Sequence, residues 1–324
     1  MKTPNEILSL VNDYISRLPY DRQPKSLYVP VAYTLSMGGK RIRPTLMLMA
    51  YALYRDDPER ILPQACALET YHNFTLLHDD LMDQAPMRRG MPTVYKKWDA
   101  NTAVLSGDAM LSLAFQRMMD CPDGHLRDVM ELFTETTLLI DEGQQYDMEF
   151  ETRNDVTEDE YIEMIRLKTS VLLACAMKMG ALLAGASAED TRLLYAAGEA
   201  FGLAFQLQDD FLDVYGDPAV FGKSIGGDIL CNKKTFMLIN ALARADEAQR
   251  GEFNRWMTAS QPDPQEKIRA VTALYDQLGI GALARQKMDH YARQAMDCLQ
   301  QVGAPDDNKQ VLKEYLQGMI NREK

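Results

Sequence analysis

Two short runs hold the residues whose types and spacing could do chemistry. Leu77-His78-Asp79-Asp80-Leu81-Met82-Asp83 and Leu207-Gln208-Asp209-Asp210-Phe211-Leu212-Asp213 both read Asp-Asp-x-x-Asp. On a helix, residues four apart share a face, so Asp79 lies above Asp83 and Asp209 above Asp213. Like charges at that spacing destabilise an isolated helix, and a cation between them removes the repulsion. Donors that are all carboxylate oxygens suit Mg²⁺, which keeps several waters and completes its shell with phosphates. One copy reads equally well as a solvated acidic helix end; a second copy argues for a site. Each follows an apolar turn, Phe74-Thr75-Leu76-Leu77 and Leu203-Ala204-Phe205-Gln206, which predicts an acidic rim above an apolar floor.

Cations recur beside both clusters. Gly39-Lys40-Arg41-Ile42-Arg43-Pro44 precedes the first and Arg88-Arg89-Gly90 follows it. Gly222-Lys223 and Asn232-Lys233-Lys234-Thr235 follow the second, around Gly226-Gly227, where backbone can approach a ligand closely. Arginine forks onto phosphate oxygens and lysine adds a mobile point charge. Any one of these groups alone is an ordinary surface charge. Their recurrence in a chain of net charge -12 predicts anionic ligands. His72 stands seven residues before Asp79, about two helical turns back on the same face, and joins them as a candidate ligand-binding group.

Helices must position these residues. Thr3-Pro4-Asn5-Glu6 and Thr157-Glu158-Asp159-Glu160 are capping boxes. Helical periodicity predicts helices over about 25–56, 60–83, 98–120, 125–150, 158–184, 188–215, 233–248, 263–278, 280–302 and 306–322. Turn chemistry separates them at Gly38-Gly39, Asp57-Pro58, Pro122-Asp123-Gly124, Gly216-Asp217-Pro218, Gly226-Gly227 and Pro262-Asp263-Pro264. Alternating strand-like runs and flexible linkers are absent from the pattern. Stretches 170–186 and 193–208 are apolar on most sides and read as helices enclosed by others. The expectation is one all-α domain over 1–324, a layered helical bundle around a central apolar cavity.

The acidic balance argues against nucleic acid or an anionic membrane surface as main partner. Cys66, Cys121, Cys175, Cys231 and Cys298 are odd in number and scattered, so neither a disulfide framework nor a zinc site is expected. Reduced packing thiols in a cytoplasmic protein fit that usage. The start of the chain lacks the apolar core of a secretory signal. Ser170 to Ala186 carries Lys178 and is short for a span, so no integral membrane segment is expected.

Taken in order, these elements resemble the trans-type isoprenyl diphosphate synthases, the family of farnesyl and geranylgeranyl diphosphate synthases. The match covers about residues 35 to 240. It rests on Gly38-Gly39-Lys40-Arg41-Ile42-Arg43-Pro44, both aspartate runs, and Arg88-Arg89-Gly90-Met91-Pro92-Thr93. Ser106-Gly107-Asp108, Gly143-Gln144, Lys168-Thr169, Gln206, Gly222-Lys223 and Lys233-Lys234-Thr235 complete it. The resemblance implies an isoprenoid-synthase fold, a homodimer, two diphosphate substrates and three Mg²⁺ ions. Asp79 and Asp83 look like ligands of two ions with Asp80 in support. Asp209 looks like the main ligand of the third, with Asp210 and Asp213 acting through water or neighbouring groups. Arg88, Lys168, Lys223 and Lys233 resemble the grip on the allylic diphosphate; Lys40, Arg43, His72 and Arg89 resemble the isopentenyl diphosphate pocket. Thr169 and Gln206 look like the groups whose oxygen dipoles face the developing allylic cation.

The implied chemistry is ionisation, condensation and elimination, with the departed diphosphate accepting the last proton because no obvious buried general base is legible. Phe74 would lie about 7.5 Å below Asp79 and Tyr71 about 12 Å below, so either could block a growing chain. One aromatic at Phe74, the small Thr75 and no insertion in the first cluster resemble geranylgeranyl-type (C20) enzymes, with farnesyl (C15) the alternative. A terpene cyclase would not need the Lys40/Arg43 pocket. A catalytically silent subunit should have lost a cluster or the arginine pair. A di-iron bundle needs Glu-x-x-His on two helices, and the sequence holds a single such run, Glu69-Thr70-Tyr71-His72.

Overall fold

The computed structural model describes residues 2–122, 124–217 and 225–320. Helices dominate: α1 Pro4–Ser16, α2 Lys25–Ser36, α3 Ile42–Ala52, α4 Leu62–Met82, α5 Val94–Lys97, α6 Ala100–Met119, α7 Leu126–Thr152, α8 Glu158–Ile165, α9 Val171–Leu183 and α10 Ala188–Tyr215. Beyond these come Phe236–Arg244, Glu247–Thr258, Pro264–Gln277, Ile280–Gln301 and Asp306–Ile320. The all-α expectation is met.

Both capping boxes form. Thr3 and Thr157 each accept the backbone N–H three residues on, and Glu6 and Glu160 reach back to the cap. The expected helix over 25–56 divides where Gly38 and Gly39 take positive φ. Glu247–Thr258 was not expected, because Phe253 is its only buried residue and no apolar stripe marks it. A second departure is the antiparallel ribbon of Met87–Arg88 and Met91–Pro92. Its two-residue turn puts both Arg89 (φ 51) and Gly90 (φ 74) in the left-handed region, the geometry that suits the twist of a hairpin.

Contacts group the chain into two compact units, each with its own core. The first comprises Met1–Glu135, Cys175–Tyr195 and Val302–Leu312. In it α4 packs against α6 and α3, and α2 against α6. Every residue of α3 except Arg43 is buried, and Gly180 lets the backbone of α9 approach Met47, where a Cβ would lie 2.1 Å from the carbonyl oxygen. A buried ion pair ties this unit together: Arg41 Nη1 meets Glu69 Oε1 at 2.7 Å, while Nη2 donates to the Leu35 carbonyl at 2.6 Å and Nε to Asn12 at 3.4 Å. Four segments meet at one guanidinium, which satisfies the hydrogen-bonding demand of a buried charge.

The second unit comprises Thr136–Ala174, Ala196–Gln301 and Lys313–Lys324. Its core includes Phe150, Tyr161, Leu207, Phe236, Phe253, Tyr275 and Ile280. The expected helix over 158–184 is interrupted by a π-helical turn, Arg166–Ser170. The wider turn inserts one residue per cycle and is common at functional sites. Glycines on neighbouring helices make room for it. A Cβ at Gly143 of α7 would lie 2.4 Å from the Lys168 nitrogen, and one at Gly202 of α10 would lie 2.6 Å from Ser170 Cα.

Candidate functional site

In the first unit the aspartates end α4, with Asp83 at its C-cap. Asp80 is 5% exposed, and Arg88 grips it: Nε lies 2.8 and 2.9 Å from its two oxygens, and Nη2 also lies 3.4 Å from Asp79 Oδ2. Burial pushes the Asp80 carboxyl up to about 6, against the opposing pull of Arg88. Asp79 is partly exposed and Asp83 exposed. The hairpin decides this arrangement. Arg88 stands in its strand and turns to the aspartates, whereas Arg89 stands in its turn and donates to the Gly38 carbonyl. Gly39 has φ 125, a conformation that favours glycine, and a Cβ there would sit 2.6 Å from the Arg89 guanidinium carbon, so the arginine tip would have to shift.

His72 lies on α4, with its pKa well below the ordinary value. Burial contributes most, followed by the positive charges of Arg43, Arg89, Arg88 and Arg41. The expected set of Arg43, His72 and Arg89 is therefore gathered in one electropositive place, while Lys40 is exposed on the loop before α3. A small cleft opens beside Arg89, lined by Thr34, Asn73, Asp80, Arg88 and Arg89 among others. Below the aspartates Tyr71 is 1% exposed, with its ring 5.5 Å from those of both Phe74 and Phe133. Phe74 meets His78 edge-on at 4.8 Å, and Thr75 donates to the His72 carbonyl at 2.9 Å. Tyr71 is thus wedged in an aromatic cluster, and Phe74 stands between it and the aspartates.

In the second unit Asp209, Asp210 and Asp213 lie in the last turns of α10. Asp210 is also 5% exposed, but its partners carry no charge: the Tyr161 hydroxyl donates to Oδ2 and Gln206 Nε2 to Oδ1 at 3.2 Å. Burial and the neighbouring Asp228 push its carboxyl up to about 8. The Asp228 backbone N–H donates to Asp213 Oδ2 at 3.0 Å. On the π-turn, Thr169 donates to Gln206 Oε1 at 3.1 Å. Lys168 meets Asp147 Oδ2 at 2.6 Å, and Lys233 approaches the same oxygen at 3.7 Å. Burial raises the Asp147 carboxyl, but Lys233 and Lys168 outweigh it and hold it below its ordinary value. Lys223 lies outside the described residues.

Sequence reasoning missed Asp147, Tyr161 and Asp228. Asp147 is one of several acids along α7, four residues after Gly143, and only the fold reveals the two lysines it gathers. The donor chemistry fits Mg²⁺. All candidate ligands are carboxylates, and among the described residues no three His, Cys, Asp or Glu side chains converge into a closed cage. Partial ligation completed by water and phosphate is what Mg²⁺ takes. Among the described residues no helix is long and apolar enough to cross a membrane.

The polyprenyl synthetase family model matches residues 24–275. A geranylgeranyl diphosphate synthase of Methanosarcina mazei is 43% identical over 229 residues, 70% of each chain. A (2E,6E)-farnesyl diphosphate synthase of Mycobacterium bovis is 36% identical over 288 residues, 88% of this chain and 80% of its own. The crystal structure of a geranylgeranyl pyrophosphate synthase superposes with a TM-score of 0.95 at 37% identity, covering 100% of both chains. The likeness runs over most of the length and agrees with the helical fold, and the chain belongs to the polyprenyl synthetase family.

Proposed function

We propose that this prenyltransferase condenses isopentenyl diphosphate with an allylic diphosphate (dimethylallyl, geranyl or farnesyl) and releases geranylgeranyl diphosphate. The observation that carries the reading is the set of Arg43, His72 and Arg89, beside the Arg88 that holds the first aspartate cluster: a chain-elongating enzyme must bind a second diphosphate. Farnesyl diphosphate is the alternative product, favoured by the farnesyl-forming relative.

The family ionises diphosphates with a divalent metal, and Mg²⁺ at the aspartates would neutralise the leaving diphosphate. Asp79 and Asp83 are the residues to hold two ions, with Asp80 in support, and Asp209 the residue to hold a third, with Asp210 and Asp213 acting indirectly. Arg88, Lys168, Lys223 and Lys233 bind the allylic diphosphate. Asp147 draws Lys168 and Lys233 together, which orients them for the same phosphate. Lys40, Arg43, His72 and Arg89 bind isopentenyl diphosphate and set its double bond in register with the allylic carbon. A neutral His72 donates one N–H to a phosphate oxygen without adding charge. Thr169 and Gln206 present oxygens to the developing cation, and apolar walls exclude water from it. Phe74, with Thr75 beside it and Tyr71 behind, limits chain length. The chain acts as a single domain, paired as a homodimer in the cytoplasm.

The test is incubation with dimethylallyl and labelled isopentenyl diphosphates, with and without Mg²⁺, followed by chain-length analysis. Metal-dependent C20 product supports the reading, C15 the alternative, and no elongation overturns both.

A further inference from the structure

We propose that Tyr161 is a positioning residue for the condensation, acting through Asp210 to hold the Gln206 amide and, through that amide, the Thr169 hydroxyl. The inference rests on the roles given above to Thr169 and Gln206.

The bonds run in one direction. Tyr161, 1% exposed on α8, donates its hydroxyl proton to Asp210 Oδ2. Asp210 Oδ1 accepts from Gln206 Nε2 at 3.2 Å, and Gln206 Oε1 accepts from Thr169 Oγ1 at 3.1 Å. An amide can be seated two ways that differ by exchange of oxygen and nitrogen. With Oδ1 of Asp210 accepting on one side and the Thr169 hydroxyl donating on the other, the amide is seated with Nε2 toward Asp210 and Oε1 toward Thr169. The threonine has one proton, and Oε1 takes it. What Thr169 then offers a ligand is lone pairs, the polarity a developing cation requires.

Asp210 can impose that choice only while its own carboxylate is held. Its terminal torsion is soft, and Gln206, one helical turn back on the same helix, offers it no outside reference. Tyr161 supplies that reference from a second helix. Its ring is buried in the hydrophobic cluster that also contains Phe150, Met164, Ile165, Leu203 and Leu207, the kind of packing that fixes a supporting side chain. The hydroxyl lies within the folded core of one unit, so its function is transmitted rather than exerted on substrate.

Tyr161→Phe keeps the packing and deletes the bond. The expected result is a fall in kcat of roughly tenfold to a hundredfold, with KM for both diphosphates within about twofold of the parent. A purely structural defect would lower the amount of active enzyme in every background. Coupling through the amide instead makes Tyr161→Phe nearly silent, about twofold or less, once Gln206→Leu is in place. Thr169→Val removes the far end of the chain without touching the Tyr161–Asp210 bond. It gives a second background should Gln206→Leu be inactive or unfolded, and Tyr161→Phe is expected to be nearly silent there too. Unchanged kcat in Tyr161→Phe, or its full effect in either background, overturns the proposal. If Gln206→Leu and Thr169→Val both keep parental kcat, the roles assigned to them fail and this inference fails with them. If they lose activity while Tyr161→Phe does not, this inference alone fails.

Discussion

The middle aspartate of each cluster is buried to the same degree, yet the two are held by opposite means. At the end of α4, Asp80 lies against the Arg88 guanidinium; near the end of α10, Asp210 lies against a phenol and an amide. A cationic partner favours the ionised form, whereas neutral donors compensate burial less, and the neighbouring Asp228 adds repulsion. Hence Asp80 is raised to about 6 and Asp210 to about 8. The five-letter motif is the same; its charge at neutral pH is decided by what the fold places beside it. The lysines differ in the same sense, since the second unit binds Lys168 and Lys233 to Asp147 while the first gathers arginines around a neutral histidine.

The most severe way to break this comparison is to remove a ligand. Asp79→Ala should lower turnover by roughly a thousandfold or more, because losing metal charge at the leaving group forfeits several kcal/mol. Asp209→Ala should lose less if its cluster serves one ion rather than two. Steady-state incorporation of labelled isopentenyl diphosphate measures both, and near-normal turnover of Asp79→Ala would sink the metal assignment.

Arg88→Ala probes the charged partner. It leaves the buried Asp80 without its donor and should destabilise the protein by about 1–3 kcal/mol, read from urea unfolding. The neutral counterpart, Tyr161→Phe, removes one hydrogen bond and should cost about 1 kcal/mol. Equal losses would erase the distinction between the two modes of support.

Phe74→Ala tests the region beneath the first cluster. The product should lengthen by at least one isoprene unit, with Tyr71 as the next obstacle, in a chain-length assay by chromatography. An unchanged product would remove Phe74 as the floor.

The smallest effect is a pH dependence of stability in chelator-treated protein. Both folded carboxyls lie above the ordinary 3.8, so each stabilises most below that value and loses its contribution as pH rises through its folded value. The loss from Asp80 is complete by about pH 6, whereas that from Asp210 continues to about pH 8. Melting temperature should therefore still fall between pH 6 and 8, and Asp210→Asn should flatten that segment. A flat parental profile there would contradict the difference between the clusters.

Much of the fold was legible because helix signals are local. Caps at Thr3 and Thr157 and the breaks at Gly38-Gly39 and Asp57-Pro58 act within a turn of themselves. The helix at Glu247–Thr258 escaped because exposed helices need no apolar stripe. The π-turn at Arg166–Ser170 escaped because its cause sits elsewhere, at Gly143 and Gly202. Likewise the site's types and spacings could be read, but not its partnerships. Nothing near Arg88 in sequence says that it turns toward Asp80 while Arg89 turns toward Gly38; the hairpin separates them.

By itself the sequence determined the helical class, the doubled Asp-Asp-x-x-Asp spacing, and the cations that give this chain its family and chemistry. These depend on residue type and on helical periodicity, which a chain carries before it folds. Only the tertiary structure decided which carboxylate is paired with an arginine and which with a tyrosine. It also decided that Asp147 joins two lysines 65 positions apart in the chain, and that His72 lies among arginines. Burial and through-space charge set those properties, and neither exists until distant helices pack.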